Sequence, residues 1–171
     1  ALKAAAAATA AAVAGAATAI GALTTKAIEG YAAQEQLVGG VETLFKTSSD
    51  TVVGYANDAY KTAGMSANEY METVTSFSAS LLASMNNDTA AAAEKANVAI
   101  TDMSDNANKM GTDISLIQNA YNGFAKQNYT MLDNLKLGYG GTKEEMQRLL
   151  DDASKLSGIK YDISSYSDIV D

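Results

Sequence analysis

The chain contains no cysteine, histidine, tryptophan or proline among its 171 residues. Without cysteine and histidine there is no thiolate or imidazole for a zinc, copper or haem site, so only oxygen ligands remain for a metal ion. Disulfide bonds are excluded too, which fits assembly in a reducing cytoplasm. Because most familiar active sites need one of the missing residue types, the composition argues against an enzyme.

The absence of proline favours helices. Average usage of ~5% would place roughly eight prolines in a chain of this length. Proline costs about 3 kcal/mol inside a helix whereas alanine costs nothing, and this chain is rich in alanine. No segment keeps the alternating pattern of a half-buried strand. We therefore predict an all-α fold, in which a long Ala-rich helix is followed by several antiparallel helices, or helical hairpins.

Positive charge is scarce as well. Twelve Lys and Arg face twenty Asp and Glu, which gives a net charge of −8, and Arg148 is the one arginine. Binding to phosphates needs clustered Lys and Arg, so we expect no specific nucleic-acid partner. We interpret the acidity as a solubilising surface.

Residues 4–25 carry no charge and consist mainly of alanine. Their number would allow a membrane crossing, but Ala, Gly and Thr contribute little to membrane transfer. We favour close packing in a helical bundle. Membrane insertion helped by small helix faces is the first alternative, and a signal peptide is a weaker one.

Helix boundaries can be read from caps and glycines. Ser66 with Glu69 and Thr142 with Glu145 have the spacing of capping boxes. Further starts are expected at residues 48–50 and at Asn86 to Asp88, and helix ends at Gly64, Gly111 and Gly158. Gly39 and Gly40 predict a turn or a loosened helix. The predicted apolar faces comprise Val52, Ala56, Ala59 or Tyr60, and Ala63; Tyr70, Val74, Phe77, Leu81 and Met85; Ala92, Ala96, Ala99 or Ile100, Met103, Ala107 and Met110; Ile114, Ile117, Tyr121 and Phe124; and Met146, Leu149, Leu150, Ala153 and Leu156.

Three regions follow from this pattern. Residues 1–36 form the Ala-rich helix, residues 37–158 a helical domain, and residues 159–171 the start of a further helix, with Ile163, Tyr166, Ile169 and Val170 at helical spacing. Because the first residue is Ala and the last apolar pattern is still running at its end, we interpret the chain as a piece of a longer polypeptide.

Three groups of residues invite a chemical interpretation. The loop GYGGTK at 138–143 lacks the Walker order, because Thr142 precedes Lys143 and no strand precedes the loop, so we interpret it as a linker with a helix cap. Counted from Asp102, the acids Asp102, Asp105 and Asp113 do not follow the EF-hand spacing. The pairs Glu144–Glu145 and Asp151–Asp152 are interpreted as surface charge. We predict no catalytic, cofactor-binding or metal-binding residue.

Long phrases between Glu35 and Gly158 resemble the amino-terminal region of tape measure proteins from long, non-contractile-tailed phages and prophages of Gram-positive bacteria. The phrases are EQLVGGVETLFKTSSDTV, YANDAYKTAGMSANEYMETVTSFSASLLASM and ITDMSDNANKMGTDISLIQNAYNGFAKQNYTMLDNLKLGYGGTKEEMQRLLDDASKLSG. They are longer and more specific than the short motifs above.

The resemblance implies a structural protein whose length sets the length of the phage tail, while tail tube subunits polymerise around it. It implies a location in the tail lumen or tail tip of the virion, and in the host cytoplasm during assembly. The implied partners are copies of the same chain, tail tube and tail tip proteins, and tail assembly chaperones. A role in genome ejection would add a host-membrane contact through residues 4–25. The alternatives are a membrane-inserting helical segment and a helical bacterial signalling or surface protein.

Vesicle flotation separates packing from membrane insertion. If residues 4–25 pack, the chain stays in the soluble fraction in the presence of lipid vesicles, with or without residues 1–30. Flotation that is lost when residues 1–30 are removed would contradict the packing interpretation and favour insertion.

Overall fold

The computed structural model describes residues 30–171, in which the regular elements are all helical and no strand occurs. The predicted all-α class is therefore confirmed. The chain divides into two units, Ala1–Gln36 and Leu37–Asp171. Of the first unit, residues 30–36 are described, and they are helical. The predicted Ala-rich helix and the candidate membrane segment at 4–25 lie outside the described residues.

The second unit begins with helical residues 37–45, called α1 here. The helices that follow are α2 (Ser49–Thr62), α3 (Ala67–Ser84), α4 (Thr89–Met110), α5 (Ile114–Phe124), α6 (Lys143–Ser157) and α7 (Tyr166–Val170). Two 3-10 turns occupy Lys46–Ser48 and Leu132–Leu135. Helices α2, α3 and α4 pack against one another, and α5 and α7 pack on α3 and α4.

Side-chain caps fix where these helices begin. Ser66 accepts the backbone N–H of Glu69 at 3.2 Å, and Thr142 accepts that of Glu145 at the same distance. Asp88 accepts the N–H groups of Ala90 and Ala91. Each cap satisfies backbone donors that have no partner inside the helix. The starts predicted at these three caps are confirmed.

The predicted apolar faces form the core of the second unit. Members from α2, α3, α4 and α5 are buried in it, among them Val52, Ala56, Ala59, Tyr70, Val74, Phe77, Leu81, Ala92, Ala96, Ala99, Ile100, Met103, Ile117 and Phe124. Each stripe packs against stripes of the same chain. Burial of these apolar side chains is the main stabilising contribution to the fold of the second unit. Residues 159–171, assigned by sequence to a further element, add Tyr166 and Val170 to this core.

Two details of the sequence interpretation were wrong. The predicted break at Gly39 and Gly40 does not occur, since α1 runs through both residues. The helical cost of glycine, about 1 kcal/mol per residue, is outweighed because Val41 and Phe45 are fully buried further along the same helix. Leu156, predicted to be buried, is 90% exposed. Helical periodicity predicts which face of α6 is apolar. It does not predict how much of that face is covered by other helices, and the end that carries Leu156 is uncovered.

The continuity of α1 can be tested with two glycine substitutions. A Cβ at Gly39 would meet no atom within 4 Å, so Gly39→Ala should raise the free energy of unfolding by about 0.5–1 kcal/mol. Gly111 has φ +63°, so the matched control Gly111→Ala should lower it by about 1–2 kcal/mol. Urea denaturation measures both changes. A loss of stability in Gly39→Ala would indicate a turn at that position.

Candidate functional site

An apolar cavity of about 180 Å³ lies among α4, α5, α6, α7 and the turn Leu132–Leu135, and we call it the α6 cavity. Its apolar walls come from Phe124, Leu135, Leu137, Met146, Leu149, Leu150, Ala153, Ile169 and Val170. Its volume is close to that of engineered apolar cavities, about 150 Å³, that accept a benzene ring. The α6 cavity therefore has room for one large apolar side chain.

The α6 wall of the cavity is held in place by polar contacts with the preceding loop. Arg148 makes an ion pair of 2.6 Å with Glu145 through Nη2, and the same nitrogen donates to the carbonyl oxygen of Gly138 at 3.1 Å. The guanidinium lies 4.2 Å from the centre of the Tyr139 ring, a cation–π distance. The Tyr139 hydroxyl donates to Asp152 at 3.1 Å. These contacts fasten the loop that carries Leu137 to the outer side of α6.

The glycines of this loop allow its tight path. Gly138 has φ +85°, and a Cβ at Gly141 would overlap the backbone carbonyl of Thr130. The N–H of Gly140 donates to the Glu145 carboxylate at 3.1 Å. The hydrogen bonds from Arg148 and Gly140 keep the pKa of Glu145 below its usual value. A carboxylate of the chain itself thus occupies the place at this helix start where an anion could bind.

The α7 wall is held by the Lys95 side chain of α4 and by a backbone carbonyl of α5. The Tyr166 hydroxyl donates to the carbonyl oxygen of Tyr121 at 3.0 Å. Lys95 forms an ion pair of 2.8 Å with Asp171 and donates to the carbonyl oxygen of Ser167 at 3.4 Å. A helix of five residues is not stable by itself in water. These contacts and the burial of Tyr166 therefore stabilise α7.

Three carboxylates line the cavity beside its apolar walls: Asp102, Asp168 and Asp171. Asp168 accepts the N–H of Asp162 and the hydroxyl of Ser165, and Asp171 is paired with Lys95. Among the described residues, Asp102 has no hydrogen-bond or ion-pair partner. Partial burial and the nearby charges of Asp105 and Asp171 raise its pKa.

The cavity also contacts a row of aromatic rings. Phe77, Tyr121, Phe124 and Tyr129 follow one another with ring centres 5.8 to 6.5 Å apart. Burial, and then the charge of Asp102, raise the pKa of Tyr121 to about 12. The phenol therefore stays neutral at physiological pH, and Tyr121 and Phe124 are the members of the row that line the cavity.

The acids that the sequence grouped together have separate positions. Asp113 caps α5 by accepting the N–H of Ser115 at 2.8 Å, and it does not line the cavity with Asp102. Asp152 binds Tyr139 and Lys155, whereas Asp151 accepts from Gln147. Within residues 30–171 no group of three or more acidic side chains could hold a metal ion. Nor does any helix in that range have the length and apolar character to cross a membrane.

The α6 cavity itself was missed by the sequence analysis. Leu149 and Ala153 were assigned to a buried face of α6, and both line the cavity. Leu137 was not assigned to any buried face, yet it lines the cavity and is 42% exposed. An apolar residue directly before a glycine-rich loop was the signal available in the sequence. It does not reveal an empty volume, which depends on how α6 and α7 meet.

Replacing Arg148 tests how the loop is held. Arg148→Ala removes the contacts to Gly138, Glu145 and Tyr139, so the amide protons of residues 138–141 should exchange with solvent faster. Hydrogen exchange followed by mass spectrometry measures the rate. Lys61→Ala is the matched control, because Lys61 forms an exposed ion pair with Asp58 of the same i,i+3 type. Unchanged exchange in Arg148→Ala would show that the loop does not depend on this side chain.

Comparison with known proteins gives no relative from which a role could be transferred. Scans against protein-family models, curated proteins and solved structures found no match.

Proposed function

We propose that this chain is a non-catalytic interaction domain of a phage tail tape measure protein, and that its α6 cavity receives an apolar side chain of another tail protein. The resemblance of the phrases between Glu35 and Gly158 supports the family. The observation that carries the interaction role is the α6 cavity, an apolar space with partly exposed Leu137 beside it.

The properties of the cavity favour docking over catalysis. Pockets that bind small molecules usually measure about 300–1,000 Å³, and 180 Å³ is below that range. General acid–base chemistry needs groups with complementary roles within reach of a substrate. Around this cavity, Asp168 and Asp171 are already bound to groups of the chain itself. The apolar lining and the neighbouring Asp102 are the groups that remain available to a partner.

A packed helical unit is better suited to the end of a tape measure protein than to the part that measures tail length. The longest helix whose two ends are both described, α4, has 22 residues and is about 33 Å long. In the second unit the chain folds back on itself, so most of its residues add no length along one axis. We therefore assign this unit to attachment at one end of the tail, and assign length measurement to extended helix elsewhere in a longer polypeptide.

The remaining partners follow from the same proposal. Tail tube and tail tip proteins are candidates for the cavity, and tail assembly chaperones would act before the tube closes. Association between copies of the chain is a separate proposal, because the stripes described above are buried within one chain. Membrane contact during genome ejection would involve residues 4–25.

Filling the cavity in the phage or prophage that encodes the chain tests this function. Ala153 lines the cavity, so Ala153→Phe should block the partner side chain and reduce the number of complete tails severalfold. The tails that do form should keep their normal length, because the attachment end is altered and the measuring part is not. Electron microscopy of lysates counts tails and measures their length.

Lys160→Phe is the control, since Lys160 is exposed and does not line the cavity. Thermal unfolding of both purified variants must show that the fold is kept. Normal numbers of complete tails in Ala153→Phe would contradict the proposed docking role. Finding that the gene contributes to no tail at all would contradict the tape measure proposal itself.

A further inference from the structure

We infer that the α6 cavity is a docking site for a basic amphipathic helix, which places an apolar side chain in the cavity and a Lys or Arg beside Asp102 and Asp105. The inference rests on the proposed interaction role and adds the chemistry of the partner. It combines three features of one surface: an apolar cavity, an exposed leucine that lines it, and two carboxylates that have no ion-pair partner among residues 30–171.

The size of the cavity specifies the apolar part of the partner. At about 180 Å³ it holds a single Leu, Met or Phe side chain, but not a stretch of helix. Leu137 lines this cavity and also a shallower groove that contains Asp105, Asn106, Lys109 and Met110. The surface therefore continues from the cavity, past Leu137, along the side of α4. A helix lying in this direction would insert one anchor and cover Leu137.

The carboxylates specify the charged part of the partner. Asp102 and Asp105 are three residues apart on α4, so they project from the same side of the helix. Neither has an ion-pair partner within the described residues, whereas Asp171 across the cavity is paired with Lys95. Lys109, in the groove next to Asp105, and Lys136, whose ammonium donates to the carbonyl oxygens of Met110 and Gly111, supply two positive charges. Four carboxylates, those of Asp102, Asp105, Asp168 and Asp171, stand against three lysines, Lys95, Lys109 and Lys136, so the surface keeps one excess negative charge. That excess attracts a cation at the edge of an apolar contact.

The charge of the chain argues against a second copy as the occupant. With 20 acidic and 12 basic residues, another copy would bring mostly like charges to this rim. Like charges placed opposite each other weaken association, and carboxylates that face a Lys-rich helix strengthen it. A basic segment of another tail protein fits both the apolar volume and the sign of the rim.

Two synthetic helical peptides test the inference on the full chain. One has Leu along one face and Lys along the other, and the second has Glu in place of every Lys. Fluorescence anisotropy should give at least tenfold tighter binding for the Lys peptide at low salt, and the difference should shrink as salt screens the charges. Ala153→Phe should weaken binding of the Lys peptide at least tenfold, because it fills the cavity.

The double variant Asp102→Asn, Asp105→Asn isolates the charge. It should bring the affinities of the two peptides several fold closer together, whereas Glu42→Gln, an exposed acid on α1 outside the cavity, should leave them unchanged. Circular dichroism must first show that each variant keeps its helical fold.

The outcomes separate this inference from the proposed function. If the two peptides bind with equal affinity and Ala153→Phe blocks both, the inference that the partner is basic is overturned, and the docking role remains. If Ala153→Phe leaves the affinity for the Lys peptide unchanged, the inference is overturned as well, because the carboxylates would then bind the peptide without the cavity. Normal tails in phage carrying Ala153→Phe would overturn the proposed docking role, whichever peptide binds.

Discussion

The close contact made by the alanine face of α4 is the interaction on which the rest of the second unit depends. Ala92, Ala93, Ala96 and Ala99 are completely buried, and Ile100 and Met103 continue the same side of the helix. Small side chains let neighbouring helices approach closely, and dispersion contacts gain from that approach. Helices α2, α3, α5 and α7 all contact α4. A larger residue at one of these alanines would push several helices apart together, because a packed interior has little free volume.

The outer helix α6 is attached by a different kind of interaction. It fully buries only Met146 and Leu150, with Leu149 partly buried against the core, and its polar contacts through Arg148, Glu145 and Asp152 join it to the loop that precedes it. The Arg148–Glu145 ion pair lies within α6 and contributes little to stability by itself, but Arg148 also contacts Gly138 and Tyr139 and so orients the loop before α6. An element held in this way does not fill the space beneath it as an alanine face does. The α6 cavity results from this difference between a densely packed centre and a helix anchored at its edge.

The sequence predicted those parts of the fold that local chemistry determines. The caps at Ser66, Asp88 and Thr142 and the apolar stripes of α2 to α5 follow from spacing alone, and the structure agrees with them. The prediction failed where tertiary packing decided. Gly39 stays helical because its neighbours in α1 are buried, and Leu156 is exposed because α6 buries side chains only in its first half. The candidate site belongs to the second kind, since it is formed by residues from five elements.

The position of Asp102 connects the fold to the proposed role. It lies on α4 between Ile100 and Met103, both buried, so its carboxylate leaves the core at the edge of an apolar wall. A neutral residue would suit that edge better, because partial burial and two nearby carboxylates all disfavour the charged form and raise the pKa of Asp102. Features that work against local stability are expected where a surface serves a partner. An incoming cation would turn this repulsion into attraction at the moment when the apolar anchor excludes water from the cavity. In the proposed complex, the same carboxylate that is disfavoured in the free chain would become a favourable contact.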